Sequence, residues 1–177
     1  MIIKSRIPAF RQILAVYGLI TLIVFDWTLI WFYWKLPSWM YFLNLGEIGT
    51  VFAYSMATNL FESLIVLCLP MLLTIILPKR WFGDLFVSMS SALAIAGLGY
   101  TIYVALKIGG LWTYPSALVR SFPIAAILMV VFVFLAGRIP ILRKALEILA
   151  DRASIFSYIF FSIGAISLIV VIIRNIL

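Results

Sequence analysis

The chain contains no histidine, so the commonest general base and metal ligand near neutral pH is missing. It has one cysteine, Cys68, which excludes an internal disulfide and a thiolate metal cluster. Charged residues make up only 11% of the 177 positions, with six acids among them; soluble domains carry about 25%. No Gly-rich phosphate loop, no GxSxG elbow and no pair of metal ligands occurs. These absences leave no constellation of acid, base and nucleophile, so no enzyme, no cofactor and no metal site is expected.

What is present is apolar. Two thirds of the chain, 66%, is hydrophobic, against about 45–50% in soluble domains. An ordinary soluble domain and a disordered chain are both excluded. The composition is that of a polytopic membrane protein. The net charge of +7 would suggest nucleic acid in a soluble protein. Here the bases sit at the ends of apolar runs and read as topology signals, so no nucleic-acid partner is expected.

A helix rises 1.5 Å per residue, so about 20 apolar residues cross a hydrocarbon core of roughly 30 Å. Five such runs stand out, at 13–33, 50–77, 85–106, 121–137 and 154–173, and none contains Lys or Arg. Barrel strands are about 10 residues long and alternate, so a barrel is excluded. The expected fold is all-α: a single domain over 1–177, a five-helix transmembrane bundle. Lys4, Arg6, Arg11, Lys79, Arg80, Arg138, Arg143, Lys144 and Arg152 fall on one side, and Lys35, Lys107, Arg120 and Arg174 on the other. That bias puts the N-terminus in the cytoplasm and the C-terminus outside. It fits the cytoplasmic (inner) membrane of a bacterium or archaeon. The basic N-terminus followed by an apolar run resembles a signal peptide, but the run is too long and lacks a small-residue cleavage site, so it reads as an uncleaved span. Aromatic residues agree with the layout: Trp31, Trp34, Trp39, Tyr41, Trp112 and Tyr114 gather at one side and Trp81 at the other.

The connections are short. Residues 138–152, RIPILRKALEILADR, place Leu142, Ala145, Leu146 and Leu149 at helical spacing with charges elsewhere. The expectation is an amphipathic helix lying on the cytoplasmic surface, with Glu147 and Asp151 on its wet side. Pro37 argues against a helix running through it, so 36–49 is expected as an outer surface segment. Gly109, Gly110 and Pro115 make the second outer connection turn-rich.

Two acids lie inside spans, Asp26 and Glu62. Ionisable groups at such depth are costly and are functional candidates by default. Counting along each span puts both about 20 Å from the cytoplasmic edge, so the two carboxyls could meet. Ser55, Asn59 and Glu62 follow i, i+4, i+7 and share a helix face. Pro70, two turns on, removes the hydrogen bond to the Val66 carbonyl. The third span is rich in small residues; Ser90, Ala94 and Gly97 form a row suited to close helix packing. The fourth span is bulky and suits lipid contact. Trp27, Trp31 and Trp34 share a face of the first span, a ridge for anchoring or for gripping a lipid, a ring or a partner helix.

The leading expectation is a non-catalytic integral subunit, a scaffold or stabiliser within a larger membrane complex, with lipids and other integral subunits as partners. The alternative is a small transporter or channel for a proton, cation or small solute. In it Asp26 and Glu62 would couple transport, and Ser55 and Asn59 would line the path. A weaker third class is a lipid-handling enzyme or flippase.

Overall fold

A computed structural model describes residues 7–78, 82–108 and 116–176, apart from the side chains of 117–119. The described residues form five long helices: α1 (Phe10–Trp39), α2 (Leu45–Ile76), α3 (Phe86–Ile108), α4 (Ser116–Arg138) and α5 (Pro140–Ile176). All five are long and apolar enough to cross a membrane. A 3-10 turn, Gly83–Leu85, leads into α3. Lys4, Arg6, Lys79, Arg80, Trp81, Gly109, Gly110, Trp112, Tyr114 and Pro115 lie outside the described residues.

The helices alternate in direction. One end gathers the start of α1, the α2–α3 and α4–α5 junctions and the first turns of α5; there Arg11 reaches Asp151 at 3.4 Å. At the far end, Asn175 Nδ2 donates to Tyr54 Oη at 2.7 Å. Arg11, Arg138, Arg143 and Arg152 share the first of these ends, which is called the basic end below.

α1 is the most buried of the five helices and packs on α5, α2 and α3. Its residues Ala15–Thr21 are buried without a break. Phe25 stacks on Phe160 at 4.7 Å, and Val16, Ile20, Met56, Phe82 and Phe86 fill the rest of the interior. Two glycines allow the helices this close. A Cβ at Gly18 would fall on the α5 backbone, 2.7 Å from Ser154 Cα. One at Gly164 would lie 2.9 Å from Leu60 Cβ on α2. α4 is peripheral: Ala136 is its one buried hydrophobic among the described residues, and Ile127, Leu128, Val130 and Val131 are exposed.

Three sequence expectations need correction. α1 runs through Pro37 to Trp39. The proline sits in the last turn, where the missing N–H costs one bond and the free end absorbs the ring; Met40 N still reaches Leu36 O at 3.0 Å. α2 starts at Leu45, five residues before the expected 50, because Asn44 and Glu47 form a reciprocal capping box at 2.9 and 2.8 Å. The segment 138–152 holds no separate surface helix, because α5 continues from Pro140 into the fifth span. Nothing between Pro140 and Gly164 breaks a helix. The buried positions Leu146, Ala150, Ala153, Ser157, Phe160, Gly164 and Ser167 form one stripe that docks on the bundle. Ala145 and Leu149, expected on the apolar face, are exposed.

Candidate functional site

Polar side chains tie α1 to α2 at two levels. Ser63 Oγ donates to Leu60 O at 2.9 Å. Its one hydrogen is thereby used, so the 3.3 Å bond between Tyr17 and Ser63 has the Tyr17 O–H donating. Further along, the Thr28 hydroxyl donates to Asn59 Oδ1 at 3.0 Å. Asn59 is 3% exposed, and its Nδ2 has no partner among the described residues. Tyr17, Thr28 and Ser63 were not singled out from the sequence. Their signal was present: a polar residue on each of two antiparallel spans at matching depth.

Asp26 and Glu62 do not meet. Successive helical residues turn by about 100°. Thr28 faces α2, so Asp26, two residues earlier, points roughly 200° away from it. Glu62 is about 60° around α2 from Asn59, where the buried face gives way to the exposed one. Both acids are exposed on the bundle, and neither has a hydrogen-bond or ion-pair partner among the described residues. They sit near mid-helix and at similar height, but on different sides of the α1–α2 pair. The Ser55–Asn59–Glu62 stripe is real as a row and divided in environment. Ser55 is half-buried and bonds Val51 O within its own helix, Asn59 is buried and Glu62 is exposed.

The Ser90–Ala94–Gly97 row of α3 stays together on one side, and Ala92 lies on another. Ala92 packs with Ala136 and Leu146. Ser90, Ala94, Gly97 and Thr101 face a lateral groove of about 540 Å³ between α2 and α3, which Cys68 and Pro70 also line. Ser90 is fully buried at its floor, and its hydroxyl has no partner among the described residues. Along α1, Trp27 and Trp31 pack edge to face at 5.7 Å, and Trp31 and Trp34 at 4.9 Å. Trp34 is 68% exposed, with Lys35 Nζ 5.9 Å from its ring.

Two further cavities lie at the basic end. One, about 510 Å³, is bordered by Arg11, Asp84, Glu147, Asp151 and Arg152. The other, about 530 Å³, has Arg138 and Arg143 at its rim. None of the three cavities is lined by Asp26, Asn59 or Glu62.

Compared with known protein families, curated proteins and solved structures, the chain matches none. The fold therefore defines a class and nothing narrower. This is an all-helical chain whose five long apolar helices are compatible with a multi-pass membrane protein.

Proposed function

We propose that the chain is a non-catalytic integral subunit of a larger membrane protein complex. It would lie in a bacterial or archaeal cytoplasmic membrane with its N-terminus inside. The observation that supports this reading is the pair of unpartnered carboxyls, Asp26 and Glu62, exposed near mid-helix on different sides of the bundle. A carboxylate at the centre of a spanning helix costs about 2.5–3.5 kcal/mol on insertion scales. This chain places no Lys or Arg in its apolar runs to offset that cost. Partner helices offering a basic or hydrogen-bond-donating side chain to each acid would remove the penalty, and the chain would then bridge two partners.

The test is site-directed photo-crosslinking in native membranes. Photoreactive residues replace Ile30, one turn from Asp26, and Ile65, one turn from Glu62; both positions are exposed. The expected result is a discrete adduct with an integral membrane protein at each site. Asp26→Asn weakens the first adduct and Glu62→Gln the second. Lipid adducts alone, together with a monomeric band on a native gel, would refute the proposal.

A second reading, a small transporter for a proton, cation or small solute, is favoured by one observation. Asn59 Nδ2 is a buried donor with no acceptor among the described residues, one turn from Glu62. It calls for flux in proteoliposomes that Glu62→Gln abolishes without unfolding the chain. Absence of flux in the unaltered protein removes this reading.

A further inference from the structure

We infer that the cavity where the α2–α3 and α4–α5 junctions meet is a binding site for one anionic phospholipid. The inference rests on the chain spanning a bilayer and is independent of any partner subunit. The cavity holds about 530 Å³, within the roughly 300–1,000 Å³ of ligand sites. Its chemistry is split in the manner of an amphiphile. The floor is apolar, from Leu77, Phe82, Met89 and Phe134, and the rim carries Arg138 and Arg143. No acid lines it.

Both guanidinium groups are already oriented. Arg138 lies over the Phe134 ring, 5.0 Å from its centroid. Arg143, which borders both cavities at the basic end, is held at Nε by Glu147 at 2.8 Å, and Glu147 lines the neighbouring cavity. That single bond leaves the Nη donors of Arg143 open among the described residues. Planar guanidiniums suit phosphate oxygens, which they bind through paired hydrogen bonds. The site sits at the ends of four helices, the level at which basic pockets between spanning helices take acidic headgroups. Free phosphate would satisfy the rim and leave the apolar floor empty. A zwitterionic lipid would fill the floor and bring a cation to two arginines. An anionic phospholipid satisfies both, with its phosphate between the guanidiniums and acyl carbons against Met89 and Phe134.

The test uses the full chain in mild detergent with equimolar dioleoyl phosphatidylglycerol and dioleoyl phosphatidylcholine, read by native mass spectrometry. The expected result is one phosphatidylglycerol retained per chain in clear preference to phosphatidylcholine. The double variant R138Q/R143Q lowers that retention about 30-fold, the effect of two bases at an anionic headgroup. R138K/R143K keeps most of it. Lys144→Gln, an exposed base on α5 outside this cavity, changes nothing. Equal retention of the two lipids by the unaltered chain overturns the inference without recourse to any variant. Displacement of the lipid by inorganic phosphate overturns it as well.

Discussion

Replacing Gly18 by alanine adds one methyl group where, among the described glycines, a Cβ would meet its nearest neighbour, and its effect can be worked from the geometry. The new Cβ would stand 2.7 Å from Ser154 Cα and press on the Ala153 carbonyl group. Carbon atoms in contact prefer about 3.5–4.0 Å. α1 and α5 must therefore part by about 1 Å, and the obstacle is backbone, which no rotamer change can move. A gap of that size forfeits a quarter to a half of the dispersion well across the surfaces it opens. Overpacking of this kind costs about 1–3 kcal/mol, and the upper end applies where relaxation is not local. Alanine's helix propensity returns up to about 1 kcal/mol. The net loss is about 2 kcal/mol, a fall in Tm of roughly 4–8 °C for a chain of this length. Thermal unfolding in mild detergent, followed by tryptophan fluorescence, measures it. Gly99→Ala is the control, because nothing lies within 4 Å of its added Cβ. It receives the propensity gain alone and should keep or raise Tm. A Gly18→Ala protein that melts at or above the Gly99→Ala protein refutes the close-packed α1–α5 contact.

Other substitutions probe the polar ties and the open surfaces. Asn59→Leu leaves the Thr28 hydroxyl unpaired and should destabilise by about 1 kcal/mol; adding Thr28→Val should recover most of it, and strict additivity in the double-mutant cycle would deny the Thr28–Asn59 bond. Cys68 is exposed in the lateral groove, so a lipid-soluble maleimide should label the folded chain in liposomes while a charged thiol reagent should not; rapid labelling by the charged reagent would mean that the groove is wet. Arg11→Gln should leave Tm unchanged, because the 3.4 Å pair with Asp151 is highly exposed on both sides and such pairs contribute little; a clear drop in Tm would show the pair to be structural.

The five helices were legible because long apolar runs bounded by bases have few other solutions. Their ends were legible only in part. Asn44 and Glu47 spell a capping box in plain sequence, yet hydropathy alone starts the apolar run at Thr50. The fifth span was cut at Ser154 because Asp151 and Arg152 are charged. Hydropathy averages over the faces of a helix, and the stripe from Leu146 to Ser167 occupies one face only. The depth of Asp26 and Glu62 came from counting residues. Their different directions did not, since azimuth depends on which neighbours a helix keeps, and Thr28 and Asn59 set it. Gly18 and Gly164 passed unremarked because a close approach belongs to two helices at once.

The stripe on α5 has a consequence for how the bundle is tied together. Its members follow one another at alternating intervals of four and three residues, a repeat of 3.5 where a straight helix has 3.6. The mismatch amounts to about 20° per heptad, so three heptads from Leu146 to Ser167 accumulate about 60°. The helix that keeps this seam inward must wind left-handedly across its neighbours. It does so as a diagonal strap. Leu146 begins against Ala92 of α3 and Ala136 of α4, the Ala153–Ser154 backbone lies on Gly18 of α1, and Gly164 and Asn175 finish on Leu60 and Tyr54 of α2. One helix thus packs on all four others, so at the basic end the bundle cannot splay open without peeling α5 away.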